Sequence, residues 1–249
     1  MKGVLFASDL HLNAALESRL DLFLALLKKA QTEASQVYLL GDLVEFWLGD
    51  DDPAPIQRRL IAAFRALTDA GVELYVALGN RDFLIGDQFR AETGAKLLAD
   101  YTRIDLFGTP TLLTHGDLLC TKDIQYQEFR RTVREPARQR QFLDLPLAQR
   151  RQIAESTRSG TQASMLEKDS FIMDVDDGEV TRVMDQHEVR QLIHGHTHRA
   201  HIHRFTRGAQ SHCRIVLGEW YTGTEVLWCT TGSQALVCAA DLLATLGAS

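Results

Sequence analysis

Seven side chains able to bind a divalent cation recur in five short motifs: Asp9-Leu10-His11, Gly41-Asp42, Gly79-Asn80-Arg81-Asp82, His115-Gly116 and Gly195-His196-Thr197-His198. Carboxylate, amide oxygen and imidazole without cysteine suit Mn, Fe or Zn in a reactive site, not a structural zinc. Two such cations held ~3.5–4 Å apart need a shared carboxylate, and a water between them becomes a nucleophile near neutral pH with no Ser or Cys required. Asp42 is the expected shared group, because its motif lies between the other acidic and amide motifs. Asp9, His11 and His198 would complete one metal, and Asn80, His115 and His196 the other. Each motif alone is common by chance. Five in this order, three of them ending strand-like runs, point to one site for two-metal phosphoester hydrolysis.

A scaffold must bring these motifs together. Val4 to Ala7 is a short apolar strand, Leu20, Phe23, Leu24, Leu27 and Ala30 recur at helical spacing, and Val37 to Leu40 is a second strand, giving a β-α-β unit. Leu60, Ile61, Phe64 and Leu67 repeat the helical period, Gly71 stops that helix, and Val72 to Leu78 forms a third strand. Asp9, Asp42 and Asn80 follow these strands, at the carboxyl edge where open α/β sheets hold ligands. Leu112 to Thr114 leads into His115 and Leu192 to Ile193 into His194. Ile215 to Leu217, Val226 to Trp228 and Leu236 to Cys238 add strands for a second sheet packed on the first. His201 and His203 alternate around Ile202 and share one face of a strand. Neither they nor His187 and His212 are good ligand candidates, whereas His194 flanks the site and can hydrogen-bond there.

Residues 125–165 interrupt the pattern as a helical insertion. Tyr126, Phe129, Val133 and Ala137 follow helical spacing, Pro136 kinks or ends that helix, and Asp144 with Pro146 starts another. Between Gln125 and Gly160 stand eight arginines against four acids, a local +4 in a chain of net charge −6. A positive lid of this kind, with Phe142, Leu143, Leu145, Leu147 and Ile153 as apolar surface, would attract an anionic substrate or lipid headgroups. An ordinary amphipathic hairpin packed on the core fits the same pattern.

At 249 residues and 45% hydrophobic content the chain can bury the core of one domain with an insertion. Its acidic balance argues against a general nucleic-acid or anionic-membrane binder, so any basic surface must be local. Cys120, Cys213, Cys229 and Cys238 show no metal or disulfide spacing and read as small buried hydrophobes in a reducing compartment. No apolar run approaches the ~20 residues of a membrane span. Met1-Lys2-Gly3 runs straight into a strand instead of a signal peptide, so a cytosolic or membrane-face location is expected. Asp50-Asp51-Asp52 before Pro53 reads as a solvated turn ahead of a helix.

In order and in detail the motifs resemble calcineurin-like metallophosphoesterases, and specifically the bacterial UDP-2,3-diacylglucosamine diphosphatases. The resemblance is carried by Ser8-Asp9-Leu10-His11-Leu12, Gly41-Asp42-Leu43-Val44-Glu45, Gly79-Asn80-Arg81-Asp82-Phe83-Leu84, His115-Gly116-Asp117 and Ile193-His194-Gly195-His196-Thr197-His198-Arg199. Further marks are Gly49-Asp50-Asp51-Asp52-Pro53, Leu119-Cys120-Thr121 leading to Asp123, and Ile172-Met173-Asp174-Val175. It covers nearly the whole chain. It implies an α/β fold, an αββα sandwich of two mixed β-sheets flanked by helices, with a helical lid. It also implies hydrolysis of UDP-2,3-diacylglucosamine to UMP and 2,3-diacylglucosamine 1-phosphate in lipid A synthesis, by hydroxide attack at the α-phosphorus. The expected cofactor is a pair of Mn²⁺ ions and the expected location the cytoplasmic face of the bacterial inner membrane, with neither nucleic acid nor an obligate protein partner.

Where many relatives are expected to place a proton-donating His after the motif Asn, this chain has Arg81. A guanidinium cannot protonate an alkoxide, whereas a departing phosphate monoester, with a second pKa of ~6, needs charge stabilisation only. Arg81, Asp42 and His196 are therefore the expected catalytic residues, with a simple ion pair from Arg81 to Asp82 or another carboxylate as the plainer reading. By resemblance the substrate contacts fall on Asn80, Arg81, Asp123, Thr161, Lys168 and His196. Thr161 replaces a usual Ser, and Met165 stands where an amide is usual and cannot make its hydrogen bonds. Arg158 either contacts the phosphate or is a solvated helix residue. A different two-metal phosphodiesterase or nuclease, and a non-catalytic scaffold of the same fold, are the competing functions.

Overall fold

The computed structural model describes residues 2–167, 174–221 and 223–247, the side chains of Leu16 and of 159–167 excepted. In chain order the elements are β1 (Gly3–Ala7), α1 (Glu17–Glu33), β2 (Ala34–Leu39), α2 (Pro55–Asp69), β3 (Glu73–Val76), α3 (Asp87–Thr93), β4 (Lys96–Leu97), β5 (Thr102–Leu106), β6 (Thr109–Leu113), α4 (Ile124–Val133), α5 (Pro136–Leu143), α6 (Leu147–Glu167), α7 (Asp177–Gln186), β7 (Gln191–His194), β8 (His201–Arg207), β9 (Gln210–Val216), β10 (Glu225–Thr230), β11 (Ser233–Cys238) and α8 (Ala239–Gly247).

Two mixed sheets result. One has the order β11-β10-β1-β2-β3-β4 and the other β5-β6-β7-β9-β8. Strands β1 to β4 run parallel, as crossover helices require, and β10 and β11 add an antiparallel edge. Strand alternation sorts the core. Leu5, Ala7, Val37 and Leu39 face α1, α2, α3 and α8, while Val4, Phe6, Tyr38 and Leu40 pack against Leu113, Ile193 and Ile215 of the second sheet. Phe6, Tyr38 and Tyr75 stack in a row on that inner face, with ring centroids 4.9 and 4.7 Å apart. Helix α7 covers the outer face of the second sheet through Val180, Val183 and Met184 against Leu112 and Leu192. The layers are helix, sheet, sheet, helix.

The three helices between His115 and α7 behave differently. No side chain of α4 or α5 is buried, and among the described side chains of α6 the buried one is Arg150. Pro136 opens α5 at its first turn, so Ala137 belongs to that helix and does not continue the stripe of Tyr126, Phe129 and Val133. The lid's positive charge is largely used inside the molecule. Arg130 reaches Asp117 and Asp100, Arg134 donates to the carbonyls of Leu78 and Gly79, Arg150 grips Asp51, and Arg158 reaches Glu45.

The turn at Asp50-Asp51-Asp52 is solvated only at Asp51, which corrects the sequence reading for its two neighbours. Asp50 accepts from Trp47 Nε1 and from the backbone N–H groups of Gly86 and Phe89, fixing the start of α3. Asp52 is 3% exposed and accepts from Ala54 N and Gln57 Nε2. Asp51 takes Arg150 in a two-pronged contact that ties α6 to the body. These partners are up to a hundred residues away, so local composition suggested the wrong role.

Candidate metal centre

Each candidate ligand sits on a tight turn just past a strand, and the backbone there is unusual. Seven described non-glycine residues have positive φ, and five are candidate ligands: Asp9 (55°), His11 (44°), Asp42 (57°), His196 (67°) and His198 (60°). Left-handed backbone is costly for such residues and persists where the surroundings impose it, as at ligand sites. The turns brace one another. Asp9 N donates to Gly41 O, His11 N to Asp42 O, and Gly195 N to His115 O. Two glycines permit this crowding: a Cβ on Gly79 would strike Asp42 Oδ1, and one on Gly195 would strike Ser8 Oγ and Asp9 Oδ2.

The side chains converge. Nitrogen and carboxylate atoms of Asp9, His11 and His198 lie within 4.8 Å of one another, as do those of Asp9, Asp42 and His115. His198 Nε2 is 3.4 Å from Asp9 Oδ1 and 3.4 Å from His11 Nε2. Asp42 directs Oδ2 toward His11 Nε2 (3.6 Å) and Oδ1 toward His115 Nε2 (3.8 Å), so its carboxylate stands between the two groups. Asn80 Oδ1 lies 3.0 Å from both His115 Nε2 and His196 Nδ1. All seven residues are thus in one place, and Asp9, assigned by sequence to one cation, is close to both groups.

The donor set fits divalent cations on this structure's own grounds. Asp9 Oδ1 is buried without a hydrogen-bond partner among the described residues. His115 Nδ1–H donates to Leu40 O at 2.7 Å, which leaves Nε2 as a lone pair facing the centre. Asp9 Oδ2 accepts from His196 N and Ser8 Oγ, so its other oxygen is the one aimed inward.

Electrostatics point the same way. Burial, with the charges of Asp82 and Asp9, pushes Asp42 up to about 7 against the pull of His115. Burial pushes His11 down to about 3 and, aided by His115, His196 down to about 4, keeping both imidazoles neutral and able to ligate. Burial opposes a proton on His115 too, but Asp42, Asp9 and Asp117 hold its pKa above the ordinary value.

A stability prediction follows from Asp42. Metal-free and folded, it binds a proton up to about 7, whereas its unfolded value is near 3.8. Between these values the folded state carries the extra proton, so this group's contribution falls as pH rises, and a cation that replaces the proton relieves it. The rise in Tm on adding Mn²⁺ should therefore be larger at pH 8 than at pH 5.5, by roughly 5 °C in differential scanning fluorimetry. Equal shifts at both pH values would contradict this.

Several neighbours were not given roles by sequence reasoning. Asp82 accepts from Gly79 N at 2.7 Å and Leu43 N at 2.8 Å, locking the second and third ligand turns together. Glu45, 4% exposed, gathers Arg81 (3.9 Å), Arg158 (3.0 Å), His11 (3.8 Å) and the Tyr221 hydroxyl. Asp117 accepts from Tyr126 OH and Arg130 Nε at 2.6 and 2.7 Å, seating α4 beside the centre. Glu45, Asp82 and Asp117 stand inside the ligand motifs, and that adjacency was the available signal. Arg81 pairs with Glu45 and not with Asp82. His194 is fully buried, donates from Nδ1 to Gly195 O, and supports the last ligand turn from beneath.

The centre opens into a cavity of about 1090 Å³ whose lining includes Asn80, Arg81, Asp123, Arg158 and His196 together with Phe46, Phe83, Phe129, Phe142 and Ile153. Arg158 is no solvated residue: it bonds Glu45 and lies 5.7 Å over the Phe46 ring. Asp123 caps α4, accepting from Tyr126 N. The side chains of Thr161 and Met165, and all of Lys168, lie outside the described residues.

A family model described as calcineurin-like phosphoesterase matches residues 3–200, a span containing every one of the converging ligands. The chain belongs to the calcineurin-like phosphoesterases. This phosphoesterase is 44% identical over 226 residues to the UDP-2,3-diacylglucosamine hydrolase of Photobacterium profundum, covering 91% of this chain and 92% of that one. It is 44% identical over 239 residues to the protein of that name from Stenotrophomonas maltophilia (93% and 96% covered), and 42% identical over 235 residues to that of Escherichia coli (94% and 98% covered).

Proposed function

We propose that this phosphoesterase hydrolyses the diphosphate of UDP-2,3-diacylglucosamine to UMP and 2,3-diacylglucosamine 1-phosphate in lipid A synthesis, with Mn²⁺ as its cation. One observation carries the reading most directly: a two-group cluster of candidate ligands opens into a 1090 Å³ cavity whose lining is largely aromatic and aliphatic. That volume is at the upper end for small-molecule pockets and suits an amphiphile with acyl chains better than a bare nucleotide sugar. The names of the relatives agree.

Bound there, divalent cations supply Lewis acidity and an acidified water at neutral pH. The protein's own groups do the rest. Asp9, His11 and His198 on one side, and Asn80, His115 and His196 on the other, would hold the pair, with Asp42 between. Arg81 reaches the cavity with a fixed positive charge for the departing sugar phosphate. Asn80, Asp123, Arg158 and His196 line the path to the sugar, and Thr161 and Lys168 are proposed to contact it as well. No helix of the described residues is long and apolar enough to cross a membrane. Phe129, Leu143 and Ile153 of the lid, and Ile124 just before it, are exposed, and with the remaining lid arginines they support peripheral docking on the cytoplasmic face of the inner membrane. Residues 125–165 would then be a lid within one domain spanning 1–249.

Incubation with Mn²⁺ and UDP-2,3-diacylglucosamine should release UMP, and a chelator should abolish the release. Each buried acyl CH₂ contributes ~0.8 kcal/mol, so unacylated UDP-glucosamine should be turned over at least ~10²-fold less efficiently in kcat/KM. Equal efficiency on both, or cleavage confined to nucleic acid, would refute the reading.

A further inference from the structure

We propose that the uridine half of the substrate occupies a second groove behind the last ligand turn, read by Arg214, His203 and Asp174; this rests on the diphosphate hydrolase reading above. The groove has a volume of about 510 Å³, and Asp174, Thr197, Arg199, His201, His203 and Arg214 line it together with the apolar Ala200 and Val216. Thr197 and Arg199 also line the apolar cavity, so the two spaces meet at the turn that carries His196 and His198. A diphosphate cleaved at that turn must send its two halves in different directions. The acylated sugar takes the larger, mostly apolar cavity, and the smaller groove, within the 300–1,000 Å³ range of small-ligand pockets, receives the nucleoside.

The polar side chains of this mixed lining suit a nucleoside. His203 on β8 pairs directly with Arg214 on β9, which places both on one sheet face, and His201 stands beside them with ring centroids 4.5 Å apart. Arg214 is half-buried and makes no ion pair within 4 Å among the described residues. It donates from Nη1 toward His194 Nε2 at 3.4 Å, the acceptor left free because His194 Nδ1–H bonds Gly195 O. The rest of its five-donor fork has no partner among the described residues. The Thr197 hydroxyl is buried and without a partner among the described residues. Uracil presents acceptor, donor, acceptor along O2, N3–H and O4, and an arginine and an imidazole flanking a carboxylate offer the complement. Guanidinium and imidazole planes also stack on a pyrimidine. Asp174, although paired with Arg199, has lone pairs left for N3–H or a ribose hydroxyl.

The test is titration of UMP, uridine and inorganic phosphate into the Mn²⁺-loaded protein, with Arg214→Ala and His203→Ala alongside. Uridine should compete with UMP, and each substitution should raise the Kd for UMP by ~10-fold or more. In turnover, KM for UDP-2,3-diacylglucosamine should rise comparably with kcat nearly unchanged, while affinity for 2,3-diacylglucosamine 1-phosphate stays constant. Thermal melting reports folding, and if Arg214→Ala melts early, His203→Ala decides. Unchanged UMP affinity in a folded variant, or competition by phosphate but not by uridine, overturns the proposal. Arg214-dependent uridine binding in a protein that does not hydrolyse UDP-2,3-diacylglucosamine would instead sink the substrate reading and leave the nucleoside site standing.

Discussion

Replacing Asp42 with alanine is expected to lower turnover by at least ~10³-fold and to reduce bound Mn²⁺ from two ions to one or fewer, as read by kinetics and by metal analysis after gel filtration. Its carboxylate is the group that faces both ligand sets, with Oδ2 toward His11 and Oδ1 toward His115. Asp42→Asn separates charge from shape. The amide keeps an oxygen that can accept from Arg81 N, a bond of 2.8 Å in the wild type, but removes the charge that repels Asp9 and Asp82. Metal-free Asp42→Asn should therefore melt no lower than metal-free wild type while remaining inactive, which would place the defect in the chemistry and not in folding. Two bound ions and turnover within tenfold of wild type would rule out the bridging role.

The converging candidate ligands were legible in the sequence because each stands within a few residues of the end of an apolar strand and most have a glycine beside them, so local pattern and chemistry coincide. The strands that carry them were legible for the same reason. What escaped were elements and partners fixed by distant contacts. The hairpin of β5 and β6 turns at Phe107 and Gly108, both at positive φ, and its Thr-Arg-Ile-Asp-Leu arm alternates faces without looking hydrophobic. Asp50, Asp51 and Asp52 look like a solvated acidic run until Gly86, Arg150 and Gln57 arrive from elsewhere. The lid's arginines looked like a free positive field, yet Arg130, Arg134, Arg150 and Arg158 hold helices to the body. A sequence shows which groups exist, but pairings between them depend on loop closures that local pattern does not encode. Glu45 shows the same limit inside the site: its position in the second motif was visible, but its role as the meeting point of Arg81, Arg158 and Tyr221 was not.

That meeting point makes Arg81→Ala the sharper test of mechanism. The backbone of Arg81 belongs to the ligand scaffold, since its N–H donates to Asp42 Oδ1 and its carbonyl accepts from Trp47 N. Its side chain does not. The guanidinium reaches into the cavity 3.9 Å from Glu45, and its Nε is buried without a hydrogen-bond partner among the described residues, so it has capacity for a substrate anion. Truncation to alanine keeps the backbone bonds, and the metal content should persist. Turnover of UDP-2,3-diacylglucosamine should fall by ~10²–10³-fold, the usual loss when one preorganised charge on a developing anion is removed. Arg81→Lys should recover part of this, because a point charge replaces a fork. Leaving group should then matter. A p-nitrophenyl phosphodiester, whose leaving group is an aryl oxide and not a phosphate dianion, should lose much less than the natural substrate in the same variant, since its departure calls for less charge stabilisation. An equal loss on both substrates would mean that Arg81 holds the site's shape through Glu45, and an unchanged rate on the diphosphate would remove it from the chemistry altogether.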